Sequence, residues 1–357
     1  MGQVRRRRFP LRRCLASQSP VHPPAHRSHD RVTTRREFLG VLGVAAFAVP
    51  LVAIAQQQQK VYRIAMLIAG SASDPMNSAF IDGMRDLGYT EGTNVIFERR
   101  FASGNTERLP ALAAELVAAK PDVIFAPVTP AALAARRATG EIPIVFAIAA
   151  DPVGSGLAAA LPRPGGNATG LTSLNVELIG KRMQLLKELL PRISRVALLF
   201  NPNNLSDALQ LAALERAAAP LGIRVFRIGV RKAEDYDSAF AAARAERAEA
   251  LMILPNPLNI RFRARIVDFA TRNRLPTMDA HETAAEDGEL ISYSISWREN
   301  YRRAALYVDK ILKGANPRDL PIEQPTKLDL VINLKTAKAL GITIPPSILY
   351  RANRVIE

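Results

Sequence analysis

Residues 63–68 read Arg-Ile-Ala-Met-Leu-Ile, and residues 195–200 repeat the pattern as Arg-Val-Ala-Leu-Leu-Phe. Each run is apolar after its arginine, and each leads into a polar loop and a helical pattern. An unbroken apolar run of this length is typical of a strand that is covered on both faces, as in a parallel sheet. The repeat predicts two matched α/β halves with a cleft between them.

The same alternation of strand and helix continues on both sides of these runs. Further apolar runs predict strands at residues 95–97, 123–126, 142–149, 225–230, 251–254, 277–278 and 290–295. Helical spacing predicts helices at residues 80–87, 109–119, 131–138, 178–190, 205–219, 233–247, 260–272 and 301–312. Strands that alternate with helices predict parallel sheets with right-handed crossovers.

The first 55 residues have the features of an export signal. Arg35 and Arg36 stand just before Phe38, and residues 38–54 carry no charge. The apolar stretch ends in Ala-Ile-Ala at residues 53–55, which is a cleavage pattern. The paired arginines are similar to those of a Tat signal. We expect residues 1–55 to form an N-terminal extension and a Tat-like signal peptide, cleaved after Ala55, with a retained membrane anchor as the alternative.

The charge and the rare residue types exclude several classes of function. The formal charge is +15, but residues 1–55 carry +8 of it, because ten arginines there face only Asp30 and Glu37. The remaining +7 is spread over the body, so we expect no nucleic-acid partner. Cys14 is the only cysteine, and His281 is the only histidine of the body. We therefore expect no metal, no cofactor and no histidine-based acid–base chemistry.

Common catalytic motifs are absent from the sequence. It contains no G-x-G-x-x-G, no Walker A motif, no H-E-x-x-H and no G-x-S-x-G. The pair His281-Glu282 has no spaced second histidine, and we expect it at the surface at the start of a helix. These absences favour a binding protein over an enzyme.

Candidate ligand-binding residues follow the predicted strands, because ligands of open parallel sheets bind beyond the carboxyl ends of the strands. The loop at residues 70–75 is small, hydroxylated and followed by a helix, so it could bind a carboxylate. The loop residues, Thr129 and Asp151 could instead cap helices, the asparagines could instead form turns, and Tyr293 could simply pack half-buried. The candidates are Ser71, Thr129, Asp151, Asn201 and Asn256, with Asp279 and Tyr293 as weaker ones.

A series of motifs resembles one bacterial protein family in order along residues 35–357. The motifs are RREFLG (35–40), RLPALAAELV (108–117), TPAALAA (129–135), IPIVF (142–146), DPV (151–153), RPGGNATG (163–170), NPNN (201–204), QPTK (324–327) and VINLKTAKALG (331–341). Together they are similar to ABC-transporter substrate-binding proteins of the tryptophan/tyrosine type.

The resemblance implies a type I periplasmic binding protein fold. Such an α/β fold has two Rossmann-like lobes with parallel sheets, joined by a three-segment hinge that we place near residues 170–173, 294–297 and 324–327. It implies a first lobe of residues 61–170 plus 297–323 and a second lobe of residues 171–294 plus 328–357. The ligand would lie between the lobes, against the loops that carry the seven candidate residues.

The expected function is that of a periplasmic solute-binding protein for an ABC importer. It would bind a small organic ligand, such as an amino acid or an aromatic carboxylate, and deliver it as a monomer to an ABC permease in the inner membrane. Two alternatives stay open. One is a ligand-sensing subunit for a membrane signalling partner, and the other is an α/β enzyme that uses Asp151 and Asp279 as acid and base.

Overall fold

The structure is a computed structural model, and it describes residues 60–357. The expected signal peptide at residues 1–55 lies outside this range. The strands are β1 (Tyr62–Ile68), β2 (Val95–Phe101), β3 (Val123–Phe125), β4 (Ile144–Ala149), β5 (Ala168–Thr172), β6 (Arg195–Phe200), β7 (Arg224–Gly229), β8 (Ala250–Ile253), β9 (Thr277–Asp279), β10 (Ile291–Ile295), β11 (Leu328–Asn333) and β12 (Arg354–Ile356).

Helices alternate with most of these strands. They are α1 (Pro75–Asp86), α2 (Leu109–Ala118), α3 (Thr129–Ala138), α4 (Asn175–Leu189), α5 (Leu205–Ala218), α6 (Asp235–Ala245), α7 (Pro257–Arg261), α8 (Arg263–Arg272), α9 (Trp297–Leu312), α10 (Leu334–Leu340) and α11 (Pro346–Arg351). None of the helices described here has the length and continuous apolarity needed to cross a bilayer.

The first lobe is built on a parallel sheet with the strand order β2-β1-β3-β4-β5. Alternate residues of β1 pack into different clusters. Ile64 and Met66 pack with α1 and α9, whereas Ala65 and Leu67 pack with α2 and α3. Helices therefore cover both faces of the sheet, which is why the run at residues 63–68 is apolar without interruption.

The second lobe is built on a sheet with the strand order β12-β11-β10-β9-β8-β6-β7. Val196 and Leu198 of β6 pack toward α4 and α5, while Ala197 and Leu199 pack toward α6 and α8. The predicted parallel arrangement holds except that β11 runs antiparallel to β10. This exception follows from the path of the chain, because the chain leaves this lobe at the end of β10 and re-enters it beside that end.

The chain passes between the lobes three times. It does so between β5 and α4, between β10 and α9, and through residues 324–327 before β11. The first and third passages are joined by hydrogen bonds from Thr172 N to Glu323 O (2.9 Å) and from Glu323 N to Gly170 O (3.0 Å). At Gly170, φ is +145° and a Cβ would lie 1.9 Å from Phe146 O, so only glycine fits here. Strand β5 runs to Thr172, two residues beyond the expected end of the first lobe segment.

Helix α9 carries the chain back from the second lobe to the first. The Ser296 side chain caps its start by accepting a hydrogen bond from Glu299 N (3.2 Å). Buried Asn300 donates hydrogen bonds to Ala147 O (3.0 Å) and Thr172 O (3.1 Å), which fixes the helix against β4 and β5. The first turns of α9 are thereby held at the boundary between the lobes.

Candidate ligand-binding site

A cavity of about 690 Å³ has walls from both lobes. From the first lobe it is lined by the loop after β1, the loop after β3 and the start of α9. From the second lobe it is lined by the start of α5, by α7 and α8, and by the loop after β9. The polar and aromatic lining residues are Ser71, Ser73, Asp74, Thr129, Asn175, Asn204, Ser206, Arg261, Arg263, His281, Thr283, Glu286, Asp287, Trp297 and Tyr301.

The loop after β1 already places a carboxyl group at the start of α1. Asp74 caps this helix by accepting a hydrogen bond from Met76 N (2.9 Å). Burial raises the pKa of the Asp74 carboxyl, while the hydrogen bond from Met76 and the charge of Arg263 oppose the rise. Ser71 lies beside it, with its hydroxyl 3.0 Å from the hydroxyl of Ser73. This wall therefore offers hydroxyls and a carboxyl group to a ligand.

The start of α9 provides aromatic faces. Trp297 is 4% exposed and Tyr301 is 3% exposed, yet both line the cavity. Tyr301 packs edge-on against Phe125, with ring centroids 5.7 Å apart. The Trp297 Nε1 atom is buried and has no hydrogen-bond partner among the residues that the structure describes. Burial, and secondarily the nearby Asp74, raise the pKa of the Tyr301 hydroxyl well above its usual range.

His281 faces this aromatic wall from the second lobe. Its ring lies 4.3 Å from the Trp297 ring between centroids. Burial, and then the charge of Arg263, lower the pKa of His281 well below its usual value, so the ring is neutral. Its Nδ1 accepts a hydrogen bond from Thr283 N (3.2 Å), which leaves the proton on Nε2. His281 is 4% exposed, so the expectation of a surface position was wrong.

Arg263 begins α8 and lies among acidic groups. Its Nη1 donates to Thr283 Oγ1 (2.9 Å) and to Asp287 Oδ2 (2.6 Å), and its Nε lies 3.5 Å from Glu289 Oε1. Burial raises the pKa of Glu289 well above its usual range, and the charge of Asp279 adds to the effect. Burial opposes the charge of Arg263, but the nearby Asp279, Glu289 and Asp287 raise the pKa of its guanidinium overall, so it stays positively charged although it is only 7% exposed.

Two of the seven expected residues, Ser71 and Thr129, line the cavity. The Thr129 hydroxyl accepts a hydrogen bond from Ala150 N (2.9 Å), and α3 begins at Thr129 with Val128 as its N-cap. Asp151 lies outside the cavity lining. It adopts φ of 39° and accepts a hydrogen bond from Gly154 N (2.8 Å), so its side chain closes a turn.

The other four expected residues belong to the second lobe and do not line the cavity. Asn201 N (2.8 Å) and Asn256 Nδ2 (2.7 Å) donate hydrogen bonds to the buried carboxyl group of Asp207. Asp279 is buried, and its Oδ1 accepts hydrogen bonds from Ala280 N and His281 N. Tyr293 is half-buried in β10, and its carbonyl oxygen accepts a hydrogen bond from Arg182 Nε (2.8 Å).

Metal binding has no support in the part of the chain that the structure describes. No group of three or more His, Cys, Asp or Glu side chains between residues 60 and 357 is arranged to hold a metal ion. The site instead combines aromatic faces, hydroxyls and one buried guanidinium. Such a mixture suits a small organic ligand with a charged end and an apolar end.

Comparisons with known proteins agree with this architecture. The chain is 26% identical over 286 residues to a tyrosine-binding protein of Clostridioides difficile, covering 80% of this chain and 82% of the relative. A crystal structure of a conserved domain protein from Vibrio cholerae superposes with a TM-score of 0.78 at 32% identity, covering 83% of this chain and all of that one. A Streptococcus pneumoniae ABC domain in complex with L-Trp gives a TM-score of 0.78 at 25% identity, with the same coverage.

The two lobes and three passages are those of the type I periplasmic binding protein fold, as the family resemblance implies. The family model described as ABC transporter substrate binding protein matches residues 62–356, nearly the whole described chain. The chain belongs to the ABC transporter substrate-binding protein family.

Proposed function

We propose that this protein is an exported receptor that binds a small organic ligand between its lobes and delivers it to an ABC permease. The observation that carries the proposal is the cavity of about 690 Å³ with walls from both lobes. Its volume lies within the roughly 300–1,000 Å³ of small-molecule sites. A ligand that contacts both walls stabilises the closed arrangement of the lobes, because only that arrangement makes both sets of contacts.

The proposed ligand is an amino acid or an aromatic carboxylate. Trp297 and Tyr301 supply aromatic faces, and Ser71 and Arg263 supply polar groups on opposite lobes. The relatives support this class, since one is described as a tyrosine-binding protein and another was crystallised in complex with L-Trp. A flat ring between aromatic side chains gains contact area with little loss of conformational freedom.

The ligand is proposed to leave the site chemically unaltered. An enzyme that used Asp151 and Asp279 as acid and base would need both carboxylates at one reacting centre. Asp151 instead accepts a hydrogen bond within its own turn, and Asp279 lies buried beside Arg263. Neither residue lines the cavity. The placement of both residues therefore favours binding without turnover.

Export and delivery complete the proposal. The paired arginines and apolar stretch of residues 35–55 would direct the chain to the periplasm, where it would act as a monomer on an inner-membrane permease. A ligand-sensing role differs only in the partner. Co-purification with a permease would support delivery, whereas co-purification with a membrane kinase would support the sensing role.

A thermal-shift screen of protein purified from the periplasm tests the binding function. A ligand at about 100 times its Kd stabilises the fold by about 2.7 kcal/mol, which raises the melting temperature by a few degrees. We expect L-tryptophan, L-tyrosine or an aromatic acid to produce this shift. Trp297→Ala should abolish the shift, and Tyr350→Ala should retain it, because Tyr350 is 93% exposed and lies outside the cavity. No shift with any amino acid or aromatic acid would contradict the proposed ligand class.

A further inference from the structure

We infer that the acidic end of the ligand binds to three N–H donors that meet in the cavity, on the side chains of Arg263, His281 and Trp297. We call these three side chains the donor triad. The inference rests on the proposed function, since it requires that a solute occupies this cavity. It assigns the ligand a carboxylate and gives that carboxylate a location.

Two members of the donor triad have buried N–H groups without an acceptor. Arg263 Nη2 and Trp297 Nε1 both lack a hydrogen-bond partner among the residues described, although both side chains line the cavity. A buried donor without an acceptor is costly, and such groups are rare in folded proteins. The third member, His281, has its proton on Nε2 because Nδ1 accepts from Thr283. A ligand oxygen anion would supply the missing acceptors.

The members of the donor triad are neighbours that come from different lobes. The ring centroids of His281 and Trp297 are 4.3 Å apart, and the Thr283 hydroxyl lies within hydrogen-bond distance of both Arg263 Nη1 (2.9 Å) and His281 Nδ1 (3.1 Å). Trp297 belongs to α9 of the first lobe, whereas Arg263 and His281 belong to the second. A carboxylate bound here would contact both lobes with its two oxygens. Recognition of the acid group would therefore also hold the lobes together.

Charge distribution favours this position over the start of α1, where the sequence alone places a carboxylate. The carboxyl group of Asp74 already occupies the helix start through its hydrogen bond with Met76 N. A ligand carboxylate there would find this backbone donor already satisfied. Near Arg263, burial raises the pKa values of the Asp279 and Glu289 carboxyl groups, which disfavours their charged forms, and the Asp287 side chain is half exposed, so solvent screens its charge. The guanidinium is thus the better partner for an anion.

The affinities of carboxylic acids and of their neutral amides test the inference. The pairs are L-tryptophan and L-tryptophanamide, L-tyrosine and L-tyrosinamide, and indole-3-acetate and indole-3-acetamide, each titrated by calorimetry. We expect every acid that binds to have a Kd about tenfold to a hundredfold lower than that of its amide, as is usual for a hydrogen-bonded charge pair. An amide that binds as tightly as its acid would overturn the carboxylate site while leaving solute binding intact. Absence of binding by all six compounds would overturn both the site and the proposed ligand class.

Two variants test the residues themselves. Arg263→Gln should abolish the preference for the acid. Trp297→Phe removes one N–H but keeps an aromatic ring, and it should raise the Kd of the acid about fivefold while leaving the Kd of the amide unchanged. Arg216→Gln, at an exposed position of α5, is the matched control. If Arg263→Gln fails to fold, Trp297→Phe decides alone, and an unchanged Kd for the acid in that variant would overturn the inference.

Discussion

Arg261 of the second lobe donates a hydrogen bond from its guanidinium to the carbonyl oxygen of Ser103 in the first lobe. The contact lies outside the three passages of the chain between the lobes. The next residue, Gly104, has φ of +86°, and a Cβ on it would lie 3.3 Å from Arg261 Cδ and 3.4 Å from Pro257 O. The two lobes therefore approach each other closely here, and the contact can form only when they are together.

Replacing Arg261 should shorten the lifetime of the ligand complex. Arg261→Gln removes a hydrogen bond that belongs to the closed arrangement, and a bond of this type contributes about 1 kcal/mol, so dissociation should become about fivefold faster. Trp297 is the only tryptophan and lines the cavity, so its fluorescence in stopped-flow experiments reports the rate. Arg216→Gln is the control. An unchanged dissociation rate in Arg261→Gln would show that the contact does not stabilise the closed lobes.

A pair of glycines tests the packing of α1 against α9. At Gly83 a Cβ would lie 2.6 Å from Arg302 O and 3.0 Å from the Cβ of Ala305, whereas at Gly140 it would meet nothing within 4 Å. Gly83→Ala should lower the free energy of unfolding by about 1–3 kcal/mol through overpacking. Gly140→Ala should leave it unchanged or raise it by up to about 1 kcal/mol. Urea denaturation measures both, and equal effects of the two substitutions would contradict the close approach of the helices.

The carboxyl group of Asp207 should make stability depend on pH. Burial raises its pKa from 3.8 to about 7, against the opposing hydrogen bonds from Asn201 and Asn256. The unfolded chain loses this proton near pH 4, while the folded protein keeps it until about pH 7. The group therefore lowers the free energy of unfolding as the pH rises from about 4 to 7, with no further change above that.

Asp207→Asn should remove this dependence. The amide oxygen can accept the same two hydrogen bonds, and the opposite atom, Oδ1, has no partner in the described part of the chain. Urea denaturation at pH 5 and pH 8 should show a smaller loss of stability in Asp207→Asn than in the unsubstituted protein. Asp237→Asn, at a side chain that is 86% exposed, is the control. Identical pH profiles in all three proteins would show that Asp207 is not the titrating group.

Export should depend on the paired arginines at positions 35 and 36. The double substitution Arg35→Lys and Arg36→Lys should block transport, because Tat signals need the arginine pair. The same exchange at Arg12 and Arg13 is the matched control and should leave export unchanged. N-terminal sequencing of the periplasmic form should begin at Gln56. A mature protein that begins before residue 32 would contradict cleavage after Ala55.

The strands were easiest to predict where helices cover both faces of the sheet. The β1 and β6 runs are apolar throughout because alternate residues pack into hydrophobic clusters on opposite faces of the sheet. The apolar run predicts β2 only for residues 95–97, yet the strand continues through Glu98, Arg99 and Arg100 to Phe101. It is an edge strand, and Arg99 forms an ion pair with Glu91 at the surface. Because its second half consists of charged residues, an apolar run does not mark the full length of the strand.

The binding site could be predicted only in part. The rule that ligands bind beyond strand ends identified Ser71 and Thr129, and His281 also obeys it, since it follows β9 by two residues. Arg263 and Trp297 reach the cavity from the starts of helices, which hydrophobic periodicity does not reveal. The predicted helix at residues 260–272 is interrupted at Phe262, and this break directs Arg261 toward Ser103 while Arg263 enters the cavity.

The central claim is that the protein holds a solute without altering it. The most direct test incubates the protein for a long time with a ligand found in the screen, denatures the protein, and measures the mass of the released compound by mass spectrometry. We predict about one molecule of compound per chain, with the mass of the compound that was added. A released compound of different mass would show that the protein is an enzyme, and a chain that releases no compound would show that the cavity does not hold the solute.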